Sequence, residues 1–92
     1  AESAEEIRRA IAAGVPMFNH GNAAATVAVY RAVSEQLMRN GDLSAVERMR
    51  LQHGLEQAAD AHSMRTSAWQ LRYALDDVND SLHNGQMSAM AR

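Results

Sequence analysis

Apolar residues recur every three or four positions along most of the chain, which is the spacing of one face of an α-helix. In the first half they flank a short polar stretch, and they are Ile7, Ile11, Val15, Phe18, Val27, Tyr30, Val33 and Leu37. Gly21 lies between the two runs, where it allows a helix to end and the chain to reverse. The pattern predicts a helical hairpin whose second helix covers residues 23 to about 39, with Asn22 as its cap.

The first helix carries two further signals. Ser3 can cap its N-terminus, with Glu6 three residues later at the capping-box position. Pro16 has no amide hydrogen to donate within the helix, and its ring crowds the preceding turn. We therefore expect a kink at Pro16, because Met17 and Phe18 continue the apolar face beyond it.

The second half of the chain predicts another pair of helices. The stretch Asn40, Gly41, Asp42 indicates a turn, and Ser44 with Glu47 three residues later forms a second capping-box pattern. A third helix then presents a stripe of Leu51, Leu55, Ala58 and His62. The weakest helix formers of the following span lie at residues 60–67, so we expect a break at residues 62 to 66.

The last helix has the most regular pattern, since its apolar positions alternate by four and three residues as in a heptad seam. These positions are Met64, Ala68, Leu71, Leu75, Val78 and Leu82. Asn84 and Gly85 are expected to end the helix. The fold class predicted is all-α, an antiparallel up-and-down four-helix bundle over residues 1–85 with a flexible C-terminal tail at residues 86–92.

Composition limits the core and the classes of partner. Apolar residues make up 47% of the 92-residue chain, yet it holds one Trp, two Tyr and one Phe, so the core must be thin and a homodimer stays an open alternative. The net charge is −2 and the arginines are interspersed with acids, which argues against nucleic-acid binding. No apolar run is long enough to span a membrane. The lack of cysteine excludes disulfides and thiolate metal sites.

Residues 11–33 resemble the first helix, turn and second helix of a tetratricopeptide repeat. The resemblance lies in paired bulky residues, a glycine followed by a short polar residue, and the later Thr26, Tyr30 and Val33. Pro16, Ala23 and Thr26 depart from that pattern, and no second copy follows at the repeat length of about 34 residues. We interpret the resemblance as that of a helical hairpin.

The chain also resembles a loose group of small exported bacterial helical proteins without an assigned activity. The residues that carry this resemblance are Gly14, Pro16, Phe18, Asn19, Gly21, Tyr30, Trp69, Leu71, Arg72, Ala74 and Asp76. It implies a helical bundle and a periplasmic or secreted location. A start at Ala1, Glu2, Ser3 is also what cleavage of a signal peptide behind a small residue would leave.

A metal site is the most specific chemistry that the spacing offers. The first and third turns of an up-and-down bundle lie at the same end, which would bring Met17 and His20 near His62 and Met64. Thioether and imidazole groups suit copper, and His62 is also a candidate haem ligand. The alternative is structural, because methionines commonly fill core gaps. A second, looser set is His83, Met87 and Met90.

The sequence gives little support for a calcium site or for a catalytic site. The acids Asp76, Asp77 and Asp80 would diverge on a helix and lack a calcium-binding loop, so we interpret them as a solvated face. No nucleophile-elbow, phosphate-loop or zinc-protease motif occurs. Glu47 and Arg72 could face inward, where a buried structural ion pair is the expected explanation.

The sequence therefore predicts a non-enzymatic, exported binding module for a protein or small ligand. Its interaction surface is expected around Phe18, Tyr30 and Trp69. The alternative hypothesis is a periplasmic copper or haem carrier that uses the Met and His ligands at one end of the bundle.

Overall fold

The structure, a computed structural model, describes the backbone of residues 2–39 and 42–91 and the side chains of residues 3–39 and 42–84. These residues form four helices, α1 (Glu2–Asn19), α2 (Ala23–Arg39), α3 (Ala45–Ala59) and α4 (Met64–Ala91). No strand occurs among them. The predicted all-α fold of four helices is confirmed.

The first turn has the local chemistry that the sequence predicts. Gly21 adopts φ +83°, a left-handed conformation that glycine enters without a steric penalty. The side-chain oxygen of Asn22 accepts a hydrogen bond from the backbone N–H of Ala25 at 3.1 Å. Asn22 therefore caps α2, which begins at Ala23.

The capping box at the start of α3 is also confirmed. The Ser44 hydroxyl accepts from the backbone N–H of Glu47 at 3.2 Å, and the Glu47 carboxylate accepts from the backbone N–H of Ser44 at 2.9 Å. Two N–H groups that the helix itself cannot satisfy are thus paired reciprocally.

The predicted cap of α1 and the predicted position of the break between α3 and α4 are wrong. Ser3 lies inside α1 rather than capping it, and its side chain is buried. The break between α3 and α4 covers residues 60–63 instead of 62–66. Its position is fixed by Ser63, whose hydroxyl accepts from the backbone N–H of Thr66 at 3.1 Å, so that the helix begins at Met64.

The C-terminal helix is longer than predicted. α4 continues past Asn84 and Gly85 to Ala91, because a glycine costs a helix interior only about 1 kcal/mol and no proline follows to stop it. The side chains of residues 85–91 lie outside the described residues. The division into a domain at 1–85 and a flexible tail at 86–92 stays a prediction.

The core is built around the contact between α2 and α4. α1 packs mainly on α2, α3 packs mainly on α4, and α2 and α4 pack extensively on each other, whereas α1 and α3 make no contact in the described part of the chain. Glu47, near the start of α3, accepts a hydrogen bond from Ser81 in the second half of α4, and Ala58, near the end of α3, accepts one from Ser67 near the start of α4. Residue numbers therefore rise along α3 in the direction in which they fall along α4. The up-and-down order of the whole bundle stays a prediction.

The predicted seam of α4 faces this core with one exception. Ala68, Leu71, Leu75 and Val78 are buried, and Leu82 packs against them, but Met64 is 55% exposed. The seam therefore begins at Ala68. α1 remains helical through Pro16, and the kink predicted there stays a prediction. Among the described residues, no helix is both long and apolar enough to cross a membrane.

Candidate functional site

A pocket of about 130 Å³ opens where α1, α2 and α4 meet. α1 contributes its last turns, α2 its middle, and α4 its first turns. The residues that line the pocket are Val15, Phe18, Asn19, Tyr30, Ala68, Trp69 and Arg72. We call the two pairs of consecutive helices that pack on each other, α1 with α2 and α3 with α4, the two hairpins, and the pocket lies between them.

Tyr30 forms the floor of the pocket and is only 2% exposed. Its ring lies directly against Gly14 of α1: a Cβ atom added at Gly14 would be 2.5 Å from Cε1 and 2.9 Å from the hydroxyl oxygen of Tyr30. No residue with a side chain fits there without displacing the ring. Gly14 is therefore the residue that allows a large aromatic side chain to lie between α1 and α2.

A buried hydrogen bond holds the same two helices beside the floor. The Thr26 hydroxyl donates to the backbone carbonyl of Gly14 at 2.9 Å. Thr26 is one of the departures from the tetratricopeptide pattern, and this bond gives it a structural role. Together with the packing of Tyr30, it fixes how closely α1 approaches α2.

Aromatic rings form one wall and the rim of the pocket. The rings of Phe18 and Trp69 meet edge to face, with 5.8 Å between their centroids and an interplanar angle of 75°. Tyr73 extends the row, since its ring centroid is 5.6 Å from that of Trp69. Trp69 is 45% exposed and Tyr73 51%. An aromatic surface thus continues from the pocket to the outside of α4.

Two guanidinium groups lie next to these rings. Arg65 lies over the face of Phe18, with its central carbon 4.9 Å from the ring centroid, within the range of a cation–π contact. Arg72 lines the pocket itself, and its Nε donates to both carboxylate oxygens of Asp76 at 3.2 Å. The pocket is therefore mainly apolar, with a cation at its edge.

The pKa of Arg72 reflects this setting. Partial burial alone would lower the pKa, but the hydrogen bond and the charge of Asp76, followed by a hydrogen bond with Tyr30, outweigh burial and raise the pKa above its ordinary value. Arg72 is thus held as a cation between Asp76 and the hydroxyl of Tyr30.

The three residues predicted as an interaction surface all line this pocket. Phe18 and Trp69 stand at its rim, whereas Tyr30 is buried and forms its floor instead of an exposed surface. The sequence analysis did not identify Arg72 as part of this site. The one-turn spacing between Arg72 and Asp76 can be recognised in the sequence. The helix that Arg72 faces in the fold cannot.

The residues predicted as metal ligands have mixed surroundings. His20 is exposed, and its Nδ1 is 2.6 Å from the backbone carbonyl of Pro16. The prediction that His62 continues the apolar stripe of α3 is wrong, because α3 ends at Ala59 and His62 lies exposed in the following loop. A buried haem ligand is therefore not available there. Met17 is half-buried and Met64 exposed.

The contact of Phe18 with Arg65 does bring the end of α1 beside the start of α4. Within the described residues, however, no group of three or more His, Cys, Asp or Glu side chains is placed to hold a metal ion. A copper site formed by Met17, His20, His62 and Met64 stays a prediction. Of the second set, His83 is exposed, and the side chains of Met87 and Met90 lie outside the described residues.

Glu47 and Arg72, which would form an ion pair if they met, have other partners. Glu47 accepts hydrogen bonds from Ser44 and from the Ser81 hydroxyl, the latter at 2.7 Å, while Arg72 pairs with Asp76 one turn away. Asp77, on the same acidic face, accepts from Nε of Arg50 at 2.7 Å. Asp76 and Asp77 thus pair with arginines while their side chains stay about half exposed, which agrees with their interpretation as a solvated face.

A second, shallower depression of about 640 Å³ lies between α2 and α3. Its lining mixes charges of both signs with a few apolar residues, namely Arg31, Glu35, Met38, Arg39, Gln52, Leu55, Glu56 and Ala59. No buried aromatic floor or enclosed apolar wall is found there among the described residues. The pocket between the hairpins is the better-formed candidate site.

Comparisons of the chain with protein-family models, with curated proteins and with solved structures find no match.

Proposed function

We propose that this protein is a non-catalytic binding module that holds an apolar group about the size of one ring in the pocket between its hairpins. The observation that carries the proposal is the meeting of Phe18 and Trp69 from different hairpins above the buried ring of Tyr30. This arrangement provides a floor, a wall and a rim of large apolar area in one place.

The volume of the pocket supports a ligand of this size. At about 130 Å³ it is close to the roughly 150 Å³ of an engineered apolar protein cavity that binds benzene. The pocket is open on one side, so a ligand can enter without unfolding of the helices. Burial of the exposed parts of Trp69 against a bound ring would also remove apolar surface from water.

The lining supports binding over catalysis. Among the described residues that form the pocket, none is a carboxylate, histidine, serine or cysteine that could act as a base or a nucleophile. Arg72 remains a cation and serves as a hydrogen-bond donor. Asn19 can donate and accept, which suits recognition of a polar substituent.

Trp69 is the only tryptophan in the chain and lies in the wall of the pocket, so its fluorescence reports on binding there. We would titrate the full chain with benzyl alcohol, a neutral one-ring probe, and follow Trp69 emission and backbone amide chemical shifts. Saturable changes are expected at residues around the pocket.

A pair of matched variants tests the location. Val15→Phe fills the pocket from α1 and is expected to weaken probe binding at least about tenfold, because the added ring occupies the ligand's volume. Val46→Phe makes the same change at an exposed position of α3 outside the lining and is expected to leave binding unchanged. Equal binding by both variants, or shifts centred elsewhere, would overturn the proposal.

A further inference from the structure

The charged side chains that line the pocket are positive only. Arg72 contributes a guanidinium, and no carboxylate is among the described lining residues. Asp76, the acid that pairs with Arg72, is itself not part of the lining. A ligand in the pocket therefore meets a cation directly, and no acid of the lining compensates its charge.

From this balance we propose that the ligand is a small aromatic carboxylate with a single ring. The ring packs on Tyr30, Phe18 and Trp69, and the carboxylate accepts hydrogen bonds from Arg72. This inference rests on the proposed function, since it names the chemical class of ligand for the same pocket.

The hydrogen bonds of Arg72 leave donors for such a group. Nε is taken by the two oxygens of Asp76, which holds the planar guanidinium in one orientation. Arginine has five N–H donors, of which Nε–H goes to Asp76 and one terminal N–H to Tyr30, so the remaining terminal N–H groups retain the donors needed for a two-point contact with a carboxylate. Because Arg72 is already ordered and partly buried, little side-chain entropy is lost when the ligand binds.

A second cation contacts one of the lining rings from outside the lining itself. Arg65 lies over Phe18, whose ring lines the pocket, and so adds positive potential near the opening. Arg65 and Arg72 together carry two positive charges against the one negative charge of Asp76. This excess favours an anion over a neutral ligand of the same shape.

The volume of the pocket limits the size of the ligand. A volume of about 130 Å³ accommodates one six-membered ring with a short substituent, and a fused two-ring system would exceed it. For a ligand with about ten non-hydrogen atoms, a dissociation constant on the order of 0.1–1 mM is expected.

The test compares three probes by Trp69 fluorescence and backbone amide shifts. Phenylacetate carries both the ring and the anion, phenylacetamide has nearly the same shape without the charge, and acetate has the anion without the ring. We expect phenylacetate to bind about tenfold more tightly than phenylacetamide, and acetate to give no saturable change. Salt is kept constant, because part of the difference is electrostatic.

Two matched variants assign the selectivity to Arg72. Arg72→Gln is expected to lower phenylacetate affinity about tenfold and to abolish the preference for phenylacetate over phenylacetamide. Arg50→Gln removes the other arginine that pairs with an aspartate of α4 and is expected to change neither. Circular dichroism melts of both variants identify any loss of folding, and Arg72→Lys, which retains the charge, is expected to retain part of the preference.

The outcomes separate this inference from the proposed function. Equal binding of phenylacetate and phenylacetamide, with no effect of Arg72→Gln or Arg72→Lys, overturns the carboxylate inference while the one-ring pocket stands. Absence of binding by phenylacetate, phenylacetamide and benzyl alcohol alike overturns both. Saturable binding of acetate alone also overturns the inference, because it would show an anion site that does not use the pocket.

Discussion

Gly14 and Tyr30 lie so close together that a single methyl group at position 14 would overlap the tyrosine ring, with Cβ 2.5 Å from Cε1. This contact sets the distance between α1 and α2 and also positions the floor of the candidate pocket. The stability of the hairpin and the shape of the site therefore depend on the same glycine.

Gly14→Ala is expected to destabilise the protein by up to about 2 kcal/mol. Alanine is favoured over glycine in a helix by about 1 kcal/mol, but overlap with a buried ring costs about 1–3 kcal/mol. Urea unfolding measures the net effect. Ala12→Gly, at an exposed position of the same helix, is the control and should cost about 1 kcal/mol from helix propensity alone. A stabilising Gly14→Ala would contradict the close contact.

A second glycine contact joins α3 to α4. A Cβ atom at Gly54 would be 2.5 Å from Cβ of Ala74, so Gly54→Ala is expected to cost up to about 2 kcal/mol after a gain of about 1 kcal/mol in helix propensity. Ala74→Gly opens that space, and the double variant should be more stable than the sum of the two single changes by at least about 1 kcal/mol. A double-mutant cycle in urea measures this coupling. Simple additivity would show that the two residues do not meet.

Glu47 is expected to make stability depend on pH. Burial alone would raise its pKa, but hydrogen bonds with Ser44 and Ser81 outweigh burial and lower the pKa below its ordinary value of 4.5. A carboxylate with a lowered pKa stabilises the folded state fully above that ordinary value, and the contribution is lost as pH falls through the lower, folded-state pKa.

Glu47→Ala should therefore cost about 1–2 kcal/mol at pH 7. The difference from the natural chain should shrink as pH is lowered from about 4.5 to 3, because the natural chain then loses the same interactions. Chemical unfolding at several pH values measures both effects. Glu56→Ala, an exposed acid of the same helix, is the control. A difference that stays constant between pH 6 and 3 would contradict the assignment.

Ser3→Ala is expected to leave stability unchanged or to raise it by about 1 kcal/mol. The Ser3 hydroxyl is buried, and among the described residues it has no hydrogen-bond partner, so its removal relieves a desolvation cost. Ser63→Ala makes the same chemical change at the cap of α4 and should instead cost about 1 kcal/mol. Thermal melts compare the two. Equal losses would show that Ser3 is satisfied in the folded protein.

The features that the sequence predicts well are those that depend on neighbouring residues. Gly21 with Asn22, and Ser44 with Glu47, form caps and turns within a few positions of one another, so their chemistry is visible locally. The spacing of apolar residues likewise predicts four helices. The sequence does not identify Ser63 as a cap, because Ser63 lacks the glutamate three residues later that Ser3 and Ser44 have.

The candidate site depends on contacts that spacing does not determine. Phe18, Tyr30 and Trp69 were predicted to lie on one face, but the burial of Tyr30 requires Gly14 opposite it. Gly14 and Gly54 are ambiguous in sequence, since a glycine within a helix either weakens it or allows close packing. Arg72 enters the site because α4 packs on α2, a pairing that only the folded chain shows.

The location of the pocket between two helical hairpins has a consequence for how the protein would respond to the ligand proposed above. A molecule that contacts Phe18 on one hairpin and Trp69 on the other acts as a clamp, so it resists any motion that draws the halves apart. At a concentration one hundred times its dissociation constant, such a clamp adds about 2.7 kcal/mol to that resistance. Binding of a ligand in the pocket would then make the whole molecule more rigid, including positions far from the bound ring.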